Sequence, residues 1–416
     1  MSEHHAAPSG NGQRLVVFVQ ENKTVDFMFP SLAGWGADVV PNGPLLSVAP
    51  PFDQPHDRDA WVHYRMGDYP AQRLSIDDTI VVPYYSWLAK TYTFSDHHTG
   101  AGSNSTSGHL LTFTGQTPTF RNPSFTGPHP SWDLPTVFAL AERAGVSWGA
   151  FVDHGRYPTK LITELGNGPL AAHIHGPGDF LRLATTGQLP QLCYVWSPGG
   201  SDEHPPTRPP VDPNYLTNGQ HLIWQQVDAV IASGQWATTT FILTWDDWGG
   251  YADHVLTPNI ETLPDALHPN GFQAISGSRV PLLMFGGTVR QGIDNHWHTH
   301  ASIPKTAIDL LHLPPLGVPR VDTAPIPRAP RRPITATIHA TPPRHHNHPT
   351  NTPDTPTNTQ PTPTLARTTR PAHATTHHQH HRPPARPHRR DRAPHPTATT
   401  QTLNRGSERD CPRGVG

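Results

Sequence analysis

The chain has 416 residues, among them 50 prolines and 30 histidines, with a formal net charge of −2 and only 34 per cent hydrophobic residues. Two cysteines, Cys193 and Cys411, exclude a disulfide framework. No apolar run reaches the ~18 residues of a membrane-spanning helix, and a charge near zero gives no whole-chain signal for nucleic acid or an anionic surface.

Residues 1–13 (MSEHHAAPSGNGQ) read as a flexible N-terminus. They lack the basic start and apolar stretch of a secretory signal, so the sequence as it stands reads as cytoplasmic. Arg14–Gln20 (RLVVFVQ) is a short apolar run with the character of a buried strand, and Glu21 and Asn22 follow it. Residues 100–115 (GAGSNSTSGHLLTFTG) begin with small residues and end in an apolar run. A hydroxyl there can sit at a helix N-terminus, where dipole and free N–H groups favour an anion. Ser103, Ser105, Thr106 and Ser107 are all candidate nucleophiles by spacing. Thr136–Ala144 is a helix pattern stopped by Gly145. Cys193, inside LCYVW, reads as a small buried hydrophobe. Leu222–Ala232 and Ser302–Leu311 are helical in pattern, and Ala237–Trp245 and Val280–Phe285 read as strands. Strands alternating with helices predict an α/β sheet covered on both faces.

Ligands of such sheets collect beyond the carboxyl ends of strands. Two strand ends here carry hard oxygen donors: Glu21 with Asn22, and Asp246 with Asp247 in WDDWGG. Two adjacent carboxylates repel unless a cation is near. An all-oxygen set favours Ca²⁺, Mg²⁺ or Mn²⁺. Histidines at 56, 204, 254, 296, 298 and 300 are of the type that binds phosphate, protonates a leaving group or ligates metal.

The last segment, 321–416, has 18 prolines, 19 threonines, 11 histidines and 14 arginines, and no lysine or aromatic ring other than histidine. Five acids leave it at +9 and the first 320 residues at −11. Such a composition cannot offset its ordering entropy and predicts disorder. A shifted reading frame through GC-rich DNA would give this mixture; a basic arm for nucleic acid or a histidine-rich metal tract is the functional alternative.

Taken in order, QENKTVDFMFPSLAG, GSNSTSGHLLTFTGQT, TVFALAERAGVSWGAF, GQLPQLCYV, SDEHPP, TWDDWGGYADHV, RVPLLMFGG and HTHASIPKTAIDLLHLPPLG resemble the bacterial phosphoesterase family that holds phospholipases C and acid phosphatases, within the alkaline-phosphatase superfamily. The resemblance covers residues 14–320, which it makes one catalytic domain. It implies an alkaline-phosphatase-like sandwich: a central, mostly parallel sheet flanked by helices. The activity implied is metal-dependent hydrolysis of a phosphate ester or phospholipid through a phosphoseryl intermediate. Glu21, Asn22, Asp246 and Asp247 match the family's metal ligands. Ser105 takes the nucleophile position when His109 is aligned with the motif's last residue, with Ser103 as the alternative. His56, His204 and His254 match histidines that line the family's phosphate pocket or lie beside it, and His300 matches the histidine of a His-x-Ser segment; His204 or His254 is expected to protonate the leaving group, and His56, His109 and His300 to bind substrate. The family is often exported. Asn104 and Ser107 stand where the motif has prolines, and Gly108 where it has asparagine; these changes are expected to loosen the loop. They motivate a second expectation, a degenerate member that binds phosphate or metal without turnover.

Overall fold

The computed structural model describes residues 12–102, 104–123, 128–153, 155–207, 212–264 and 269–328. Ser103, Cys411 and the expected disordered tail from residue 329 onward lie outside the described residues.

The apolar runs form one eight-stranded sheet. Its strands are β1 Arg14–Gln20, β2 Thr93–Ser95, β3 Trp148–Phe151, β4 Ile174–His175, β5 Leu192–Trp196, β6 Thr239–Trp245, β7 Leu282–Gly286 and β8 Gly292–Asp294. Their spatial order is β8-β2-β7-β6-β1-β5-β3-β4. Only β7 runs against its neighbours, β6 and β2; every other pairing is parallel. The main helices are α1 Arg58–Met66, α2 Pro83–Thr91, α3 Ser105–Thr114, α4 Val137–Arg143, α5 Asp179–Thr185, α6 Tyr215–Ala232 and α7 Ser302–Leu310.

Strand β1 shows why the sheet is covered twice. Val16 and Phe18 enter the core formed with α2, α5 and α6, through Tyr85, Leu88, Phe180, Ile223 and Val227. Leu15, Val17 and Val19 enter the opposite core with α3, α4 and α7, through Leu110, Phe113, Phe138 and Ile303. Side chains alternate faces along a strand, so a strand buried on both sides needs apolar residues at every position. On the first face Phe241 stacks between Phe18 and Phe285, with centroids 6.0 and 5.0 Å away. The sandwich implied by the resemblance, a mostly parallel sheet between helices, is what the chain forms.

Several boundaries differ from the sequence reading; strand β7, for one, runs Leu282–Gly286 rather than Val280–Phe285. Strand β6 starts at Thr239 rather than Ala237, because Trp236–Thr238 make a 3₁₀ turn. Helix α6 starts at Tyr215 rather than Leu222; Gly219 interrupts the apolar pattern, and a Cβ there would lie 2.3 Å from Glu203 Cγ. Packing also continues past residue 320. Val321 is fully buried, Asp322 accepts from the main-chain N–H groups of Leu316 and Gly317, and Arg328 N–H donates to Asp294. Val321 abuts Gly115, the left-handed C-cap of α3, where a Cβ would lie 2.0 Å from Val321 Cγ2.

Candidate active site

Strands β1 and β6 lie side by side and parallel, with Gln20 opposite Trp245. The chain therefore leaves the sheet at one level from both, and Glu21–Asn22 meet Asp246–Asp247. Asn22 is left-handed, φ 57°, a conformation asparagine tolerates better than most residues. That turn brings its main-chain N–H to Asp246 Oδ1 at 3.0 Å. Gly249, also left-handed, passes so close that a Cβ would lie 2.3 Å from the Asn22 carbonyl. Its N–H donates to Asp247 Oδ1 at 2.9 Å. Gly249 of WDDWGG thus lets the second strand end fold onto the first.

Helix α3 delivers the hydroxyl. Ser105 is its first residue. Ser105 Oγ donates to Asp247 Oδ2 at 3.3 Å and accepts from Asn22 Nδ2 at 3.3 Å. The residues expected to loosen this loop brace it instead. Asn104 is the N-cap, and its Oδ1 accepts from Ser107 N–H and Ser107 Oγ. Ser107 Oγ lies 2.6 Å from the Thr119 carbonyl oxygen. Thr106 N–H and Oγ1 both donate to Asn122. Two helix N–H groups are therefore taken by side chains rather than free for an anion; the axial dipole remains. Gly108 also has a reason to be glycine, since a Cβ would lie 2.3 Å from the Asp246 carbonyl oxygen. In an ordinary helix Gly→Ala stabilises by about 1 kcal/mol. Here Gly108→Ala is expected to reverse sign and cost about 1–3 kcal/mol through overpacking, seen as a fall of several degrees in the thermal melt.

Burial and mutual repulsion disfavour charge on the two aspartates. Burial, then the charge of Glu21, raises Asp246 above its usual range, and burial together with Asp246 raises Asp247 well above it. Glu21 is the exception. Burial would raise it, but the imidazole of His109 holds it down to about 2. Asp246 Oδ2 and Asn22 Oδ1 are buried without a hydrogen-bond partner. Meanwhile the Asn22 amide nitrogen is ringed by lone pairs: His56 Nε2 at 2.9 Å, Asp247 Oδ1 at 3.0 Å and Ser105 Oγ at 3.3 Å. Unpartnered buried oxygens and crowded acceptors meet here in one buried spot. Glu21, His109 and Asp246 also bring one ligand-type atom each within 4.8 Å of one another.

The imidazole of His109 is better placed to hold Glu21 than to ligate. Its Nε2 lies 2.8 Å from Glu21 Oε1, and Trp196 Nε1–H donates to its Nδ1 at 3.2 Å. An indole N–H needs a lone pair, so the ring's proton sits on Nε2, facing the carboxylate. Glu21 and Asp246 pull His109 up to about 8 against the effect of burial. The Trp196 contact favours the singly protonated ring. His56 Nδ1 donates to the Gln54 carbonyl at 2.7 Å, which leaves Nε2 to accept from Asn22. The ring of His204 lies 5.8 Å from that of His56, and its Nδ1 donates to the Pro205 carbonyl.

Two histidines are placed differently from the substrate-binding and proton-donating positions expected of them. His300 is fully buried with both nitrogens spent on protein: Nε2 donates to the Asp246 carbonyl at 2.8 Å, and Nδ1 lies 3.0 Å from His98 Nε2. It supports Asp246 from behind rather than facing a substrate. His254 bonds Asp26 at 2.7 Å and Asp38 at 3.1 Å, in a network with Asp253 and the buried Arg279. Burial would lower its pKa, but the hydrogen bond and charge of Asp26 raise it. A histidine raised in the fold binds protons more tightly there than in the unfolded chain. Its contribution is complete below the ordinary value of about 6.5 and is lost as pH rises through the raised one. Denaturant melts across that range should therefore show a shallower pH slope in His254→Gln than in the wild type.

Lys23, Trp196 and Glu203 lie in segments the sequence singles out, but nothing in those segments gives them a role. Each acts through a contact between segments far apart in the chain. The one hint was position: LCYVW is a third strand, and it ends beside the other two.

Comparison with known proteins sets this chain in a family. The chain is 28 per cent identical over 207 residues to non-specific phospholipase C4 of Arabidopsis thaliana, covering 43 per cent of this chain and 36 per cent of that protein. It is 29 per cent identical over 201 residues to non-specific phospholipase C3 of the same plant, covering 43 and 37 per cent. The match thus spans little more than a third of the length of these relatives. Among solved structures it is similar to the murine ectonucleotide pyrophosphatase/phosphodiesterase 5, at TM-score 0.42 and 11 per cent identity, over 73 per cent of this chain and 96 per cent of that one. Residues 55–314 match the model of the Phosphoesterase family, and the chain belongs to that family.

Proposed function

We propose that the protein is a metal-dependent phosphoric ester hydrolase with Ser105 as nucleophile. The observation that carries this reading is the meeting of Ser105 Oγ with Asp247 and Asn22 at a strand end that also holds two unpartnered buried oxygens. Glu21, Asn22, Asp246 and Asp247 would hold the ion. When bound, a divalent cation supplies positive charge that polarises a phosphoryl oxygen and eases deprotonation of the serine hydroxyl.

The chain's own residues do the rest. Asp247 Oδ2, 3.3 Å from Ser105 Oγ, receives the hydroxyl proton. Ser105 Oγ then forms the bond to phosphorus in line with the breaking P–O bond, giving a phosphoseryl intermediate. His204, whose Nδ1–H is fixed on Pro205, presents Nε2 to the leaving oxygen and protonates it. A water deprotonated at the same Nε2 attacks the phosphoserine, and Ser105 takes back its proton. His56 and the Asn22 amide line the pocket beside it, and His109 orients Glu21.

The braced N-terminus of α3 weighs against a binding-only member. The substrate class offered is a phosphomonoester or the phosphodiester of a phospholipid; the plant relatives are phospholipases C by name. The test is hydrolysis of a chromogenic phosphomonoester and of phosphatidylcholine by the full chain, with Mn²⁺, Ca²⁺ or Mg²⁺ and with chelator. Absence of metal-dependent release from either substrate would overturn the reading.

A further inference from the structure

One buried carboxylate has no part in the chemistry above, yet it touches the frame of the whole site. Glu203 is fully buried in the SDEHPP loop, with a left-handed backbone of φ 70°. Its Oε1 accepts from Gln20 Nε2 at 3.0 Å and from Tyr85 OH at 2.7 Å, and its Oε2 accepts from Trp245 Nε1 at 2.8 Å. Gln20 is the residue before Glu21, and Trp245 the residue before Asp246. One carboxylate therefore ties together the two strand ends that carry the proposed ligands. The main chain around it does the same. Asp202 O accepts from Glu21 N–H at 2.8 Å, and Lys23 Nζ donates to the carbonyls of Glu203 and Glu21 at 2.9 and 3.0 Å. The next residue is His204.

The surroundings are cut to fit this side chain. A Cβ on Gly219 of α6 would lie 2.3 Å from Glu203 Cγ. Left-handed backbone in a residue that is neither glycine nor asparagine is costly and persists only where the environment imposes it. Burial pushes the Glu203 carboxyl up to about 7, against the pull of Tyr85, Lys23, Trp245 and Gln20. A buried carboxyl that keeps three donors is costly to place and needs a reason to be there.

We infer that Glu203 is a positioning residue: its side chain clamps the ends of β1 and β6, and its backbone sets His204 against them. The inference rests on the hydrolytic reading above for the roles of Glu21, Asp246 and His204. Glu203→Gln keeps the length but replaces one acceptor oxygen with an NH₂ that must face a donor. In the full chain we expect native near-ultraviolet circular dichroism and a kcat for the chromogenic ester lower by about 10–100-fold, with KM changed less than about threefold. Affinity for Mn²⁺ alone, by calorimetry without substrate, should fall by about tenfold. A folded Glu203→Gln protein with wild-type kcat and Mn²⁺ affinity overturns the inference.

Should that variant not fold, Trp245→Phe removes a single N–H arm of the clamp. It should lower kcat and Mn²⁺ affinity in the same direction, by about 3–10-fold, and lower the melting temperature as well, because Trp245 is fully buried in the core; wild-type kcat and Mn²⁺ affinity in the folded variant overturn the clamp as well. If Ser105→Ala and the wild type hydrolyse the ester equally, Ser105 falls as nucleophile, and if neither shows metal-dependent release, it is the hydrolytic reading that falls. The Mn²⁺ affinities still decide the clamp, because they need no turnover.

Discussion

Ser105→Ala is expected to lower turnover of a phosphate ester by about 10⁴-fold or more, the scale seen when a covalent nucleophile is removed. The fold should not notice. Ser105 makes two long hydrogen bonds, both at 3.3 Å, and stands at the first position of α3, while the cap itself is Asn104. Alanine suits a helix at least as well as serine. The melting temperature should therefore stay within a few degrees of the wild type. Mn²⁺ should still bind, since Glu21, Asp246, Asp247 and Asn22 remain. Single-turnover assays with a radiolabelled phosphodiester would add a direct check, because label should stay on the wild-type chain after acid quench and not on the variant. Near-wild-type turnover in Ser105→Ala would move the nucleophile elsewhere.

The second large effect belongs to Asp247. Asp247→Asn is expected to lower activity by about 10²–10³-fold, as for loss of one strong electrostatic contact in a dry site. It should also separate metal binding from stability. Asp247 Oδ1 accepts from Asn22 Nδ2 and Gly249 N–H, which an asparagine oxygen can continue to do. The new NH₂ would face Ser105 Oγ, which can accept. The change removes one of two adjacent buried carboxylates whose charged forms are disfavoured. The metal-free variant should therefore melt no lower than the metal-free wild type. Saturating Mn²⁺ stabilises a protein by about 2.7 kcal/mol at a hundred times Kd. That increment should appear in the wild type and be absent in Asp247→Asn. A variant that still gains the full increment from Mn²⁺ would remove Asp247 from the ligand set.

The parts of the fold legible in the sequence were those where local and tertiary demands agree. RLVVFVQ could be read as a buried strand because both its faces meet helices, so no position tolerates a polar residue. The polar residues that follow, Glu21 and Asn22, stood out against that run, as Asp246 and Asp247 did after β6. Helix α3 was only half legible. Its first residues are serine, threonine and glycine, weak helix formers on their own. What makes them helical is the Asn104 cap and the burial of Leu110 and Phe113 against the sheet. The roles of His300 and His254 were illegible for a different reason. A histidine in a motif shows its chemistry but not which of its nitrogens the protein has already used, and here the Asp246 carbonyl and the Asp26 carboxylate took them. Glu203 was hidden most deeply, since its three donors come from residues 20, 85 and 245.

The contact between Val321 and Gly115 has a practical meaning for anyone trimming this protein. Cutting the gene after codon 320, where the composition turns, would delete the valine that fills the hollow at the far end of α3, together with Asp322, which ties down the 316–317 turn. A fragment so made would expose apolar surface at the end of the helix that begins with Ser105, and a loss of activity in it would say nothing about the tail. A cleavage point placed beyond Arg328 keeps the plug and makes the comparison with the full-length chain a fair one.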